Sequence, residues 1–292
     1  MKKSNLFILA CALLILGVLF EGNFLSKKYV SSSEFKRNEK ESIKTLDAET
    51  YNYKTFHFDE PFDEVIIKDT SENLQAYPVT GTTKEIQWIK SKKSGLKKIY
   101  RDDFIRDMKV EQNKLIISIA SKPQFSGTKI IVYSPTLNKI NFENAGSTSL
   151  IDTKSDSLAI ESNFSDVEVA ESTLLKKLKI QANEKATVTV KAKFIDQVDY
   201  LLSSNSTIRS QIDTCNRLYI QGDSSSTVFI SPIFSERKSP YSLYNYITYN
   251  DSIGTVVIEN TTVNKVKGNK DKLTLYMTVK QIEETLRNVS SE

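Results

Sequence analysis

Apolar residues recur at a fixed spacing in the second half of the chain. One apolar position returns every 20 residues, at Ile140, Ile160, Ile180, Tyr200 and Ile220. A second such column is formed by Val167, Val188, Ile208 and Val228, and a weaker third by Leu175, Ile195 and Cys215. A constant period of this length indicates stacked repeating units, each of which buries its apolar positions against the next.

Each repeat alternates like a β-strand and has no helical spacing. Leu178-x-Ile180 is one example, in which apolar residues stand at every second position with a polar residue between. Short segments rich in Asn, Asp and Ser, such as 163–166 and 223–226, separate the strands and favour turns, because their side chains can bond the nearby backbone. The leucine-rich repeat has a similar period, but its recurring Leu and Asn pattern is absent. The repeat therefore predicts an all-β fold, a parallel β-helix with coils of about 20 residues.

The segments on either side of the repeat also predict strands. Before it, strands are expected at 62–67, at 86–89, twice within 108–119 around a Gln112-Asn113 corner, and at 129–133. After it, closing strands are expected at 255–258 and 273–277. A short amphipathic helix is then predicted over the last coil, because apolar residues follow at helical spacing: Val279, Ile282, Leu286 and Val289.

The repeat is interrupted by residues 231–254, which contain four tyrosines. They are Tyr241, Tyr244, Tyr246 and Tyr249. The terminal coils of a solenoid need a cap, so we expect this cluster to cover an end of the stack. The alternative is that these side chains bind sugar rings or a partner protein, since aromatic clusters also serve that purpose.

Residues 1–25 predict a membrane-targeting segment. Lys2 and Lys3 precede an uninterrupted apolar run, residues 6–20, and no small-x-small cleavage site follows. A bilayer span needs about 20 residues, so the run is slightly short for a span and long for a signal-peptide core. We expect an uncleaved signal anchor, with a cleaved signal peptide as the alternative. Residues 26–50 are polar and charged and predict a tether between the membrane and the folded part.

The charge balance argues against nucleic acid as a partner. The chain has 40 basic and 36 acidic residues, so it carries no broad basic footprint. One local exception is the basic stretch 90–98, which is expected to be a solvated loop or a short helix. The alternative is a patch for acidic lipid headgroups or anionic glycans, carried by Lys92, Lys93, Lys97 and Lys98.

The residue types needed for common catalytic sites are scarce. His57 is the single histidine, which excludes histidine-based triads and multi-histidine metal sites, and it is expected to lie on a strand. Cys215 falls in the third apolar column and is therefore expected in the core. No Gly-rich phosphate loop is present. The sequence predicts no catalytic residue, no metal site and no cofactor.

The competing enzyme class is a carbohydrate-active β-helix enzyme, which would need converging carboxylates. Asp166 has Ala186 at the matching corner of the next coil, so no carboxylate pair is predicted there. The corner column Asn163, Asn183, Ser203 and Asp223 offers one carboxylate, whereas calcium favours several. We therefore expect these polar side chains to hydrogen-bond to one another along the stack, as amide ladders do.

Three segments together resemble a known family: 62–65, 132–140 and 144–147. The chain is similar over residues 51–277 to the head GIN domain family, described as putative auto-transporter adhesins and as a domain of unknown function. The resemblance implies a right-handed parallel β-helix and an exported protein of Bacteroidetes-type bacteria. The family has no established catalytic residues, so it implies none here. The chain has fewer glycines at its corners than the family pattern.

These observations predict four regions: an anchor or signal peptide (1–25), a tether (26–50), a β-helix (51–277) and a capping helix with the tail (278–292). The expected function is that of an exported, membrane-anchored, noncatalytic protein of the bacterial cell envelope. It would act as an adhesin-like binding module or a scaffold, with a glycan or an envelope protein as partner. The sequence does not specify an oligomeric state.

Overall fold

The chain is built from β-strands throughout the part that the computed structural model describes, which comprises residues 52–70, 84–100, 105–119, 128–233, 242–276 and 289–290. The only helical element among these residues is a 3-10 helix, Lys270–Lys272. None of their helices is long and apolar enough to cross a membrane. The predicted anchor, tether and most of the capping helix fall outside the described residues.

All 18 strands belong to one continuous hydrogen-bonded sheet. They are β1 (Asn52–Phe58), β2 (Glu64–Asp69), β3 (Lys84–Lys90), β4 (Ser94–Tyr100), β5 (Ile105–Glu111), β6 (Lys114–Ile119), β7 (Thr128–Ser134), β8 (Lys139–Leu150), β9 (Lys154–Val169), β10 (Leu174–Asn183), β11 (Thr187–Leu202), β12 (Thr207–Gly222), β13 (Thr227–Ile230), β14 (Leu243–Tyr249), β15 (Thr255–Glu259), β16 (Thr262–Lys267), β17 (Leu273–Tyr276) and β18 (Val289–Ser290).

Residues that the repeat aligns are hydrogen-bonded neighbours. Strand β10 pairs in parallel with β9 and with β11, so that Ile180 faces Ile160 on one side and Tyr200 on the other. Strand β12 continues the series, with Ile220 opposite Tyr200. The register predicted from the 20-residue period is therefore confirmed over β8–β12.

The apolar columns are the core of this stack. Alternate side chains of a strand point to opposite faces of the sheet, and here one face is dry. Ile180, Val188, Ile195 and Cys215 are at most 1% exposed, which confirms that all three columns point inward. Each fully buried aliphatic side chain of this kind stabilises the fold by roughly 1.5–3 kcal/mol.

Corners between strands adopt left-handed backbone conformations without glycine. Glu184 and Lys185 have φ values of 55° and 65°, and Ser204 and Asn205 repeat them at 55° and 63° one coil later. Non-glycine residues adopt such values uncommonly, with Asn and Asp over-represented among them. The same corner shape therefore recurs in successive coils although its sequence changes.

The first half of the chain is less regular than the repeat. Strand β2 pairs in parallel with β6 and β8, and β3 pairs in parallel with β7 and β8. The expected hairpin around Gln112 and Asn113 is confirmed by the antiparallel pairing of β5 with β6, and these two residues have φ values of 50° and 62°. His57 lies on β1 as expected.

The basic stretch 90–98 was expected to be a loop or a short helix, and this prediction is wrong for its second half. Residues from Ser94 onward form β4, which lies antiparallel between β1 and β7. Leu96 is fully buried, and a Cβ at Gly95 would come within 2.8 Å of the Phe56 carbonyl oxygen. Burial of one leucine and close backbone approach thus override the high charge of the segment.

Val289, at the end of the predicted capping helix, lies in a strand. Val289 and Ser290 form β18, which pairs in parallel with β16. Residues 277–288, which carry the other apolar positions of that prediction, lie outside the described residues.

Candidate binding groove

Five adjacent parallel strands, β10, β11, β12, β14 and β16, present one flat face to solvent. Their registers place outward residues in two rows across the strands. The first row is Lys177, Gln197, Arg217, Tyr246 and Lys265, and the second is Lys179, Asp199, Tyr219, Thr248 and Lys267. We call these two rows the strand face. Its backbone is held by pairing on both sides of each inner strand, so its side chains have fixed origins.

Part of the strand face is the floor of an open groove of about 960 Å³. The floor is lined by Lys179, Asp199, Leu201, Tyr219, Gln221 and Thr248. Two turns, 250–251 and 268–270, form the wall along one side. A volume of this order is typical of small-molecule sites.

The wall is fixed by hydrogen bonds and by tight packing. Tyr249 donates its hydroxyl hydrogen to the Asn269 carbonyl oxygen over 2.7 Å, and a Cβ at Gly268 would come within 2.5 Å of the Tyr249 ring. The Asn250 side chain accepts a hydrogen bond from the Gly222 backbone N–H at 3.0 Å and donates one to its carbonyl oxygen at 3.1 Å. Both turns are therefore held against the strands that they border.

Several polar side chains of the floor are not used by the fold. Tyr219 is 42% exposed. Within the part of the chain that the structure describes, Tyr219, Gln221 and Lys179 make no side-chain hydrogen bond or ion pair. An amide side chain offers both donors and acceptors, and an ammonium offers three donors. These groups can therefore bind an external molecule without breaking an internal contact.

The charges that line the groove balance. Lys179 and Lys270 contribute two positive charges, and Asp199 and Asp251 contribute two negative ones. The sequence had not suggested that these two carboxylates share a surface. Asp251 is exposed, and Asp199 accepts hydrogen bonds at 3.3 Å from the Gln197 side chain. Neither carboxylate is buried in an apolar pocket, the usual arrangement that keeps a general acid protonated at neutral pH.

The predicted tyrosine cluster divides between core and surface. Tyr246 is 54% exposed on the strand face, and Tyr249 supports the wall of the groove. Tyr244 is fully buried, and Tyr241 lies outside the described residues. A ligand-binding role for these four tyrosines stays a prediction. Tyr219, which lies on the floor, was not selected from the sequence, although an aromatic residue between the inward-facing Leu218 and Ile220 marks an outward position.

A buried polar cluster sits in the core beneath the groove strands. Ser210 Oγ lies 2.8 Å from the Tyr200 hydroxyl and 3.0 Å from the Tyr244 hydroxyl. Burial raises the pKa of both phenols well above the usual value of 10.0. Burial also raises the pKa of the nearby Cys215 thiol to about 12, which makes it a poor nucleophile at neutral pH.

The basic residues singled out in the sequence lie apart from the groove lining. Lys92 and Lys93 are exposed in the turn before β4, Lys97 is half-buried on β4, and Lys98 is paired through its backbone to β1 and β7. Their proposed role toward acidic headgroups or anionic glycans stays a prediction.

The polar corner column forms the expected ladder. Asn183 donates a hydrogen bond to Asn163 Oδ1 at 2.9 Å and accepts one from the Ser203 hydroxyl at 2.8 Å. Asp223 extends it by accepting the Ser204 backbone N–H at 2.7 Å. A second ladder, which the sequence analysis missed, connects Asp196, Asn216, Asn245 and Asn264. Among the described residues, no group of three or more His, Cys, Asp or Glu side chains could hold a metal ion.

Comparison with known proteins shows no family for this chain. No family model matches it, and no curated protein matches it. The chain is similar to a solved structure named a putative adhesin from Bacteroides fragilis, with 17% identity, 79% of this chain and 94% of that chain covered, and a TM-score of 0.43.

Two further solved structures, both from Parabacteroides distasonis, have comparable similarity. One is named a putative adhesin, with 11% identity, a TM-score of 0.46, and coverage of 78% of this chain and 97% of that chain. The other is named a putative lipid binding protein, with 14% identity, a TM-score of 0.39, and coverage of 84% and 97%. At these values the likeness assigns no function to the chain.

Proposed function

We propose that the described strands coil as a right-handed parallel β-helix. The parallel registers at steps of 20 residues and the inward apolar columns support this arrangement. Corners of one shape in successive coils support it as well. In such a stack the core columns hold the fold while outward residues vary freely, which suits a surface that binds other molecules.

The proposed setting is the bacterial cell envelope, with the β-helix exported and the chain anchored by residues 1–25. The support is the apolar run 6–20 behind Lys2 and Lys3. To test this, the full chain is expressed in a Gram-negative host and followed by immunoblot. We expect it to resist alkaline extraction from membranes and to be digested by trypsin added to spheroplasts. Leu14→Arg, which places a charge in the run, should release it from the membrane fraction. Protection of the wild-type chain from trypsin would contradict export.

The proposed activity is noncatalytic binding, as an adhesin-like or scaffold module. The observation that carries it is the groove, where Tyr219 and Gln221 project from paired strands beside a fixed wall and have no partner among the described residues. The full chain in detergent should sediment with isolated cell envelopes in a saturable manner. Binding that rises linearly with concentration would contradict a specific binding module.

A carbohydrate-active enzyme is the second candidate, because Asp199 and Asp251 line the same groove. Glycosidases use two carboxylates, one as acid and one as base or nucleophile. If this candidate is correct, each of Asp199→Asn and Asp251→Asn will abolish turnover of a bound glycan. We expect instead that the wild-type chain releases no product, so that the two variants differ from it in affinity alone.

A further inference from the structure

We propose that the groove binds a neutral oligosaccharide, with the ring of Tyr219 as the stacking platform. This inference rests on the proposed binding function and names its ligand class. It starts from the exposed aromatic ring on a flat floor. The face of an aromatic ring is electron-rich, so it attracts the C–H groups on the apolar face of a sugar ring.

The polar side chains around Tyr219 match the hydroxyl groups of a sugar. Gln221 follows two residues later on the same strand and points to the same face. Lys179 lies in the same row as Tyr219, two strands away, and Asp251 stands on the wall. Together these groups offer donors and acceptors, and a hydroxyl can serve as both. The floor thus combines one apolar platform with hydrogen-bonding groups at its edge.

A second exposed ring extends the platform beyond the groove. Tyr246 stands one strand over from Tyr219 and two residues earlier in register, since Tyr219 pairs with Thr248. Strand spacing and rise per residue place the two Cα atoms roughly 8 Å apart. Both side chains point outward, at 42% and 54% exposure. The strand face can therefore contact more than one sugar unit of a chain.

Other ligand classes fit the groove less well. An extended peptide would add to a sheet edge, but β11 and β12 are already paired on both sides. Phosphate-rich ligands and acidic polysaccharides need a net positive surface, whereas Lys179 and Lys270 are offset by Asp199 and Asp251. A lipid tail needs an apolar cavity, and Leu201 is the only aliphatic side chain on the floor.

The fixed geometry of the groove also favours a sugar. Oligosaccharides gain little apolar contact, so their sites depend on polar groups held in place before binding. Tyr249 and Asn250 hold the wall by hydrogen bonds, and the floor belongs to continuous parallel strands. Little ordering therefore remains to oppose the binding of a flexible glycan.

The test is an array of neutral and acidic glycans, followed by affinity measurements on neutral hits with the full chain in detergent. We expect at least one neutral oligosaccharide to bind. Tyr219→Ala should weaken that binding by about tenfold or more, and Gln221→Ala by less. Tyr219→Phe, which keeps the ring, should retain most of the affinity. The matched control is Tyr276→Ala, which removes another exposed tyrosine, on β17 and outside the groove lining, and should leave affinity within about twofold.

Two results would overturn the inference. One is that no neutral oligosaccharide binds the wild-type chain, including the case in which only acidic glycans bind. The other is that Tyr219→Ala binds a neutral glycan as tightly as wild type while its unfolding transition is unchanged. If envelope sedimentation remains saturable in either case, the binding function stands and only the groove assignment falls. If sedimentation also fails, both proposals fall.

Discussion

The hydroxyl groups of Tyr200 and Tyr244 bind the same serine, with Ser210 Oγ 2.8 Å from one and 3.0 Å from the other. Tyr200 belongs to the regular repeat, whereas Tyr244 belongs to the strand that follows its interruption. The shared hydrogen bonds connect these two parts inside an otherwise apolar core. Tyr244 thus serves the core at this break, where the sequence had predicted a cap.

These two tyrosines make the fold sensitive to alkaline pH. Burial raises the pKa of each phenol above 10.0, so above that pH the unfolded chain releases protons that the folded chain retains. Stability is therefore fully present below pH 10 and falls as pH rises beyond it, by about 1.4 kcal/mol per pH unit for each tyrosine. Tyr200→Phe should remove one such contribution in urea titrations between pH 9 and 12.

Tyr276→Phe is the control for this measurement, because the Tyr276 ring is 62% exposed. It should leave the slope of stability against pH unchanged. An identical slope in Tyr200→Phe and wild type would contradict the buried position of Tyr200.

Cys215 should be unreactive in the folded protein. Its side chain is fully buried and its thiol pKa is raised to about 12, so little thiolate forms at pH 8. In a Cys11→Ala background, iodoacetamide should label Cys215 only after urea unfolding. Rapid labelling of the native protein, at the rate of a free thiol, would place Cys215 outside the core.

Replacing residues at the corner and in the core should have very different costs. Asn183→Ala removes two hydrogen bonds at a half-buried corner where water can substitute, so it should lower the free energy of unfolding by about 1–2 kcal/mol. Ile180→Asp puts an unpaired charge at a fully buried position and should prevent folding. Urea unfolding and size-exclusion chromatography measure both outcomes. Similar losses from the two substitutions would mean that the assignment of inner and outer faces is wrong.

Asp223 should contribute an acid-sensitive part of the stability. Hydrogen bonds from the Ser204 N–H and from the hydroxyls of Ser226 and Ser225 lower the pKa of the Asp223 carboxyl from 3.8 to about 2. Its contribution is therefore present above pH 3.8 and is lost as pH falls toward 2. Asp223→Asn should flatten stability in that window and cost about 1 kcal/mol at pH 7, since the site is near the surface. A Ser224→Ala control should retain the wild-type pH dependence.

The sequence was most informative where its spacing is constant. Between Ile140 and Ile220 one period determines which residues face inward and which strands pair, because every coil repeats the same length. The polar corner ladder followed from the same alignment, since Asn163 and Asn183 differ by one period.

The groove could not be predicted because the period changes where it forms. Asn216 and Asn245, neighbours in the second ladder, are 29 residues apart, and the next step to Asn264 is 19. A constant step of 20 would not place Tyr246 opposite Arg217. The antiparallel strand β4 was missed for a different reason. Its burial depends on long-range contact with β1 and β7, which local charge does not reveal.

The most direct test of the account is to incubate the full chain with each glycan that it binds and to follow products over time by mass spectrometry. The account predicts saturable binding with no new product, even at long incubation, because neither groove carboxylate lies in the buried environment that a general acid uses. Release of shortened glycan that is lost in both Asp199→Asn and Asp251→Asn would contradict it and identify the chain as an enzyme.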